Sequence, residues 1–192
     1  MATGLPGGAD GQAPGKKKFE RLALPHLDAA FNLARWLAGN TADAEDIVQD
    51  AYFRAFRYFD SFRGDDIRVW LLAIVRTSFL SWIHKNRSPS LVFLAEEPAS
   101  AAVETAWTEA QDNPETLLLR GLDASAISRL VEQLPHEYRE VLILREIEDL
   151  SYREIATVTD APIGTVMSRL ARARARLRQA WLAHDTETRN AP

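Results

Sequence analysis

The stretch from residue 151 to 178, SYREIATVTDAPIGTVMSRLARARARLR, constrains the fold of this chain more than any other. Ser151 and Glu154 have the spacing of a capping box, in which each side chain accepts a hydrogen bond from the other's backbone amide, so a helix should begin there. The Asp-Ala-Pro segment at 160 to 162 would end that helix, and a second one should follow. We therefore predict a helix-turn-helix. Apolar residues would face inward on its two helices: Ile155, Ala156, Val158, Val166 and Leu170.

The outward face of the second helix would carry hydroxyl and guanidinium side chains. Residues 164 to 178 contain five arginines and no acid, so this face is strongly positive. Such a mixture can contact base edges and phosphates together in the major groove. The alternative is a solvated amphipathic helix in a bundle, where arginine alternating with alanine is common. The candidate DNA-contacting residues are Thr165, Ser168, Arg169, Arg172, Arg174 and Arg176.

Composition favours a globular protein that needs no cofactor. The 192 residues are 46% hydrophobic, but no uninterrupted apolar run suits a bilayer span or a secretory signal, so membrane insertion is not expected. The absence of cysteine excludes disulfides and thiolate nucleophiles and suits a cytoplasmic location. The four histidines lie far apart in the sequence, which argues against a metal site.

Residues 19 to 87 predict a first helical module. Three segments have apolar residues at helical spacing, and two glycine-containing turns, around Gly39 and Gly64, separate them. Thr41 can cap the second helix, whose first turn is rich in acids that favour the helix dipole. The third helix should begin near Asp66.

Aromatic residues are concentrated in this module beside arginines. Rings and guanidinium groups together suit single-stranded DNA, because flipped bases can stack while the arginines hold the backbone. The competing interpretation is that the rings fill the core. We assign Tyr52, Phe56, Phe59 and Trp70 to the core and expect Phe62, beside a turn, to be exposed.

The rest of the chain divides into tails, a linker and a second module. Residues 88 to 112 mix proline, serine, alanine and acids and predict a flexible acidic linker. Asn113 and Pro114 resemble a cap and a first-turn proline, so a second helical module should span 113 to 184. We expect a disordered tail at 1 to 18 and a short tail at 185 to 192.

Three of these stretches, in this order, resemble the extracytoplasmic-function group of bacterial sigma factors, which belong to the sigma-70 family. DAEDIVQDAYFRAF (43 to 56) resembles the family's polymerase-binding helix, and FRGDDIRVWLLAIVRTSFLSWI (62 to 83) its minus-ten element reader. Residues 134 to 178 resemble the minus-thirty-five element reader. The resemblance implies an all-α fold of two small domains joined by the linker, and a transcription initiation factor that helps melt promoter DNA.

The resemblance also implies partners and site residues. Core RNA polymerase would be bound through the clamp helices of its largest subunit and its beta flap, promoter DNA at two elements, and an anti-sigma factor would control the protein. The likeness assigns the clamp contacts to Asp46, Gln49, Asp50 and Arg54. It assigns minus-ten recognition to Phe62, Arg63, Arg68, Arg76 and Thr77, and minus-thirty-five recognition to the arginine helix.

Two positions depart from the family pattern. Thr77 stands where relatives commonly carry asparagine, and threonine cannot make asparagine's bidentate pair with a base, which puts minus-ten specificity in doubt. Asp160 stands where relatives often have glycine, but aspartate tolerates the left-handed conformation better than most residues, so the turn should survive.

Other classes of protein fit less of the sequence. A simple activator or repressor needs the arginine helix but neither the acid-capped helix nor the aromatic cluster of the first module. A mimic that sequesters an anti-sigma factor can share both modules, but the chain leaves no room for the receiver domain of such proteins. An enzyme is not expected, because no phosphate-binding loop, carboxylate pair or nucleophile constellation is found.

Overall fold

The computed structural model describes residues 13–64, 66–86 and 124–190. The expected linker, the start of the second module at Asn113 and the first twelve residues of the expected tail lie outside these ranges. Every regular element within them is helical, which confirms the all-α fold. The helices are α1 Ala13–Ala23, α2 Leu27–Ala38, α3 Thr41–Tyr58, α4 Ile67–Asn86, α5 Ala124–Glu132, α6 His136–Glu146, α7 Tyr152–Thr159 and α8 Ile163–Asn190. Short 3-10 turns, Leu24–His26 and Phe59–Ser61, follow α1 and α3.

Helices α1 to α4 form the N-terminal group, and two of its boundaries differ from the prediction. Helix α1 begins at Ala13, inside the expected tail, and its Phe19 is buried against the rings of Tyr52, Phe56 and Phe59. The cap of α3 is Asn40 rather than Thr41, because the Asn40 side chain accepts a hydrogen bond from the Asp43 amide at 2.9 Å.

The aromatic assignments hold in part. Phe59 is buried as expected, and Tyr52 is half-buried, with its hydroxyl donating to the Ala23 carbonyl at 2.9 Å. Burial raises the pKa of Tyr52 to about 12. Phe56 is 45% exposed, so its assignment to the core is wrong: smaller residues such as Ala55 fill the interior, and Phe56 lies on the rim. The expectation that Phe62 is exposed is wrong, because its ring is half-buried against Trp70, with the ring centroids 5.0 Å apart.

Helices α5 to α8 form the C-terminal group, and its helix-turn-helix matches the local prediction. The capping box between Ser151 and Glu154 is present at the start of α7, and it lowers the pKa of Glu154 through hydrogen bonds from Ser151. Asp160 ends α7 in the left-handed conformation at φ 48°. Val166 and Leu170 are buried on α8, as the four-residue spacing predicted.

The two groups pack directly against each other along a contact that we call the seam. Helix α4 packs against α7, and α2 packs against α6. One hydrophobic core runs through both groups: it includes Leu33, Leu72 and Phe79 from the first, and Val141, Leu144 and Ile155 from the second. The buried apolar area is thus shared between two units that are each small for an independent core.

Helix α4 is long and apolar enough to cross a membrane by length and composition alone. The sequence prediction concerned an uninterrupted apolar run, and α4 is interrupted by Arg68 and Arg76. A core helix of a globular protein passes the same test, and α4 packs against α2 and α3 on one side and α7 on the other. Leu71, Leu72 and Val75 of α4 are buried, and Arg68 and Arg76 form ion pairs with the C-terminal group. These contacts are those of a helix in the interior of a folded protein.

Candidate nucleic-acid interface

The residues predicted to contact the minus-thirty-five element lie along the first four turns of α8. Ser168, Arg174 and Arg176 are exposed, and Thr165, Arg169 and Arg172 are half-buried. Two of the arginines contact side chains of the same C-terminal group. The guanidinium of Arg174 donates to Glu146 Oε1 at 2.6 and 3.2 Å, and Arg176 lies over the Tyr138 ring, 4.8 Å from its centroid. Both charges remain near the surface.

Two of the predicted minus-ten residues are arginines of α4, and they point into the seam. Arg68 Nη2 donates to Glu148 Oε2 at 2.5 Å, and Arg76 Nε donates to Glu140 Oε1 at 2.7 Å. The arginine side chains are 30% and 19% exposed, whereas the glutamate side chains are 4% and 3% exposed. Both glutamates belong to the C-terminal group, so each pair joins the two groups.

The other predicted minus-ten residues remain at the surface. Arg63 is exposed, and its guanidinium donates to the backbone carbonyl of Asp60. Thr77 is exposed, and its hydroxyl donates to the Ala73 carbonyl at 2.8 Å, one turn earlier in α4. Phe62 packs on Trp70 in the loop before α4. The five residues therefore do not form one continuous exposed surface.

Burial controls the electrostatics of the seam. It raises the pKa of Glu140 to about 7, and the nearby charges of Arg76 and Arg169 only partly oppose this shift. Burial also lowers the pKa of His136, which lies one helical turn before Glu140 on α6. The charge of Arg169 on α8 affects the pKa of both Glu140 and His136. Arg169, predicted to contact the minus-thirty-five element, and Arg76, predicted to contact the minus-ten element, therefore both lie near the Glu140 carboxylate.

The residues predicted to contact the polymerase clamp lie together on α3. Asp46 and Gln49 are exposed, while Asp50 forms an ion pair with Arg54 Nε at 2.8 Å. We call these four residues the α3 face. Three of them, Asp46, Asp50 and Arg54, also line a groove of about 600 Å³ between α3 and the end of α4. In the part of the chain that the structure describes, no cluster of His, Asp and Glu could hold a metal ion.

The polar residues of the seam were not predicted from the sequence. Besides Glu140 and Glu148, Arg139 Nη1 donates to the Trp36 carbonyl at 2.7 Å, across the seam. The sequence feature that could have predicted them is on α6, where four consecutive apolar residues, Val141 to Leu144, are all buried. A helix that is apolar all round is covered on more than one face, so a neighbouring acid such as Glu140 would also be buried.

Two family models match the chain: Sigma-70 region 2 over residues 22–88 and Sigma-70, region 4 over residues 124–177. Among curated relatives, the RNA polymerase sigma-H factor of Pseudomonas aeruginosa is 32% identical over 161 residues, which cover 83% of each chain. The ECF RNA polymerase sigma-E factor of Escherichia coli is 38% identical over 137 residues, 70% of this chain and 71% of that one.

A solved structure is also similar. It is the sigma factor RpoE in complex with the anti-sigma factor NepR, from Bartonella quintana, at a TM-score of 0.65 and 29% identity. The likeness covers 86% of this chain and 97% of that one, so it extends over both helical groups.

Proposed function

The chain belongs to the extracytoplasmic-function group of sigma-70 RNA polymerase sigma factors and is thus a transcription initiation factor, and we propose how its surfaces perform that role. Core RNA polymerase binds the α3 face through the clamp helices of its largest subunit and contacts the C-terminal group through its beta flap. Promoter DNA binds α4 with its preceding loop at the minus-ten element and α8 at the minus-thirty-five element. The polymerase supplies the chemistry, and this chain supplies binding energy.

The observation that carries the proposal is the α3 face. Asp46 and Gln49 are exposed one turn apart on a well-formed helix, beside the Asp50–Arg54 pair. Phe53 adjoins them on the same surface and is 67% exposed, although a large aromatic residue is normally covered. An acidic surface with a projecting ring suits a basic partner with an apolar contact, because such rings anchor protein interfaces.

At the minus-ten element, Phe62 supplies a ring for a flipped base, while Arg63, Arg68 and Arg76 hold the strand. Stacking of a base on an aromatic ring is worth roughly 1–3 kcal/mol, so one or two flipped bases can offset part of the melting cost. Thr77 is exposed on α4 and makes at most one hydrogen bond to a base through its hydroxyl.

At the minus-thirty-five element, the first turns of α8 enter the major groove. Thr165, Ser168 and Arg169 lie nearest the N-terminal end of the helix, which normally goes deepest into the groove. Arg172, Arg174 and Arg176 follow along the helix and bind phosphates. The exposure of Arg174 and Arg176 supports this division.

Regulation and domain organisation follow from the family. An anti-sigma factor controls the protein, as the relative from Bartonella quintana is solved in complex with one. Residues 19 to 87 act as region 2, residues 113 to 184 as region 4, and residues 88 to 112 as the linker between them. The protein acts in the cytoplasm, where RNA polymerase is found.

Transcription with purified core polymerase on a pool of promoters tests the proposal. The wild-type chain should direct initiation from a defined subset of promoters. The variant Asp46→Lys/Asp50→Lys should lose core binding, because both reversals fall on the α3 face. The matched control is Glu20→Lys/Asp28→Lys, which changes the same charge on α1 and α2. Equal core affinity of the two variants would remove α3 from the polymerase interface.

A further inference from the structure

We propose that the groove between α3 and the end of α4 is a binding site for a linear aliphatic polyamine. The ammonium groups of the ligand pair with Asp43, Asp46 and Asp50, and its methylene groups lie against Trp82. Because Asp46 and Asp50 belong to the α3 face, the bound polyamine competes with core polymerase. The competition rests on the clamp contact proposed for that face, whereas the binding itself does not.

The charge of the groove favours a ligand with several positive groups. The first three turns of α3 contain four acids and no base, and three of those acids line the groove: Asp43, Asp46 and Asp50. The lining also holds two cations, but Arg54 Nε pairs with Asp50 at 2.8 Å and Lys85 lies at the far end of α4. Within the described ranges, Asp43 and Asp46 form no ion pair. Their charges are therefore available to a ligand.

The spacing of the three aspartates fits a polyamine better than a single metal ion. They stand three and four residues apart on one side of α3, so they are separated by about 4.5 and 6 Å along the helix axis. Three and four methylene groups separate the amines of spermidine, and extended chains of those lengths cover similar distances. Carboxylates spread in this way do not converge on one ion, in agreement with the absence of a metal cluster among the described residues.

Ser78 indicates independently that the groove takes a hydrogen-bonding ligand. Its side chain lines the groove from α4 and is only 2% exposed, and its Oγ has no hydrogen-bond partner among the described residues. A buried hydroxyl without a partner destabilises a folded chain, so native proteins keep few of them. An ammonium N–H can donate to this oxygen and complete its hydrogen bonding.

The rest of the lining suits an aliphatic chain that carries positive charge. The groove volume of about 600 Å³ lies within the range of about 300–1,000 Å³ that is typical of small-molecule sites. Trp82 is half-buried and stacks on Phe79, with the ring centroids 6.4 Å apart, so its orientation is fixed. The face of such a ring attracts cations and offers apolar surface to methylene groups. The ligand thus lies between the carboxylates of α3 and the ring and hydroxyl of α4.

Isothermal titration calorimetry of the full chain with spermidine tests the binding. Wild type should bind spermidine in a saturable, one-to-one manner with a dissociation constant below about 1 mM, in the presence of magnesium chloride. Asp46→Asn removes one carboxylate from the groove and should weaken binding about tenfold. The matched control Glu45→Gln removes the same charge from a neighbouring exposed residue outside the groove and should change it little. Displacement by magnesium ions at equal ionic strength, or equal weakening in the two variants, would overturn the site.

Ser78→Ala separates ligand binding from folding and from polymerase contact. The variant removes no hydrogen bond from the free chain, so its thermal unfolding should match wild type, while its spermidine affinity should fall about fivefold. Undiminished affinity would overturn the placement of the ligand beside Ser78.

The same variant tests the competition, because Ser78 lies outside the α3 face. Core polymerase should bind wild type and Ser78→Ala equally, and spermidine should weaken core binding by wild type more than by Ser78→Ala. Spermidine that binds the chain and leaves core affinity unchanged would overturn the competition. Loss of core binding in Asp46→Lys/Asp50→Lys would then locate the failure in the ligand's position, and retained core binding would locate it in the proposed clamp contact.

Discussion

The two sets of arginines proposed to bind DNA are held in different ways. On α8, Arg174 and Arg176 contact Glu146 and Tyr138 of their own helical group and keep their charges near solvent. On α4, Arg68 and Arg76 contact glutamates of the opposite group and are largely covered. Arg174 and Arg176 therefore keep their charges at the surface, whereas Arg68 and Arg76 are covered by residues of the other group.

Under the proposed roles, the α8 arginines serve promoter binding and the α4 arginines serve promoter opening. If the two readers were equally exposed, the free protein could bind single strands without polymerase. Under the proposed roles, the two contact surfaces would act at different steps of initiation.

The largest effect is expected for the arginines of α8. Arg169→Ala/Arg172→Ala should weaken holoenzyme binding to the minus-thirty-five element about 100-fold or more, since each contact is worth roughly 1–3 kcal/mol. Binding measured at several salt concentrations distinguishes the two roles: loss of a phosphate contact lowers the salt slope by about one, and loss of a base contact relaxes preference at one position. Wild-type binding by the double variant would remove α8 from the interface.

The seam should show a pH dependence that the α8 surface lacks. The closed state raises the pKa of Glu140 to about 7 from 4.5, so Glu140 stabilises it fully below pH 4.5 and loses that contribution as the pH rises through 7. The surrounding charges are Arg76 of α4, Arg169 of α8, and Glu137 and His136 of α6. Burial lowers the pKa of His136, which acts in the opposite direction.

Glu140→Gln isolates this contribution, because His136 is present in both proteins. Between about pH 5 and pH 8, the free energy of unfolding of wild type should fall relative to the variant by up to about 3 kcal/mol. Urea unfolding followed by circular dichroism measures both profiles. Parallel profiles would show that Glu140 titrates in the closed state as it does in solvent.

A smaller effect is expected for the minus-ten residues in the holoenzyme. Phe62→Ala and Arg76→Ala should each slow promoter opening roughly tenfold, because each removes one stacking or backbone contact of about 1–2 kcal/mol. Initial duplex binding should change little, since we propose that α8 provides it. Permanganate footprinting after formation of closed complexes measures opening directly. Equal opening rates would assign both residues to packing alone.

The smallest effect is expected for Arg174→Ala. Its ion pair with Glu146 has an arginine side chain that is 46% exposed, so its loss should change stability by no more than about 0.5 kcal/mol. Thermal unfolding should be nearly unaltered, while DNA affinity of the holoenzyme falls slightly on all sequences. A large loss of stability would mean that Arg174 contributes to the fold rather than to DNA binding alone.

Local features of this fold were predictable because neighbouring residues determine them. Ser151 and Glu154 form their capping box within one turn, and Asp160 takes the left-handed conformation that its short polar side chain tolerates. The predicted cap of α3 was one residue too late, because the side chains of both Asn40 and Thr41 can accept an amide hydrogen bond. The buried positions on α8 followed from a four-residue spacing.

The seam could not be predicted by the same means. Arg76 and Glu140 are 64 residues apart, and Arg68 and Glu148 are 80 apart, so no local pattern connects them. Both arginines instead matched a family motif for DNA contact, which describes the chain when it is bound. Phe56 shows the related difficulty that an apolar residue at helical spacing can lie at the rim of a core.

The distance between the two helical groups, compared in the free protein and in the holoenzyme on promoter DNA, tests the central claim most directly. Dyes at Asn32→Cys and Thr157→Cys should show high energy transfer in the free chain, because α2 and α7 belong to one closed body. Transfer should fall when core polymerase and promoter are added. High transfer that persists in a complex competent for initiation would contradict the account, since α4 would then remain covered while DNA is open.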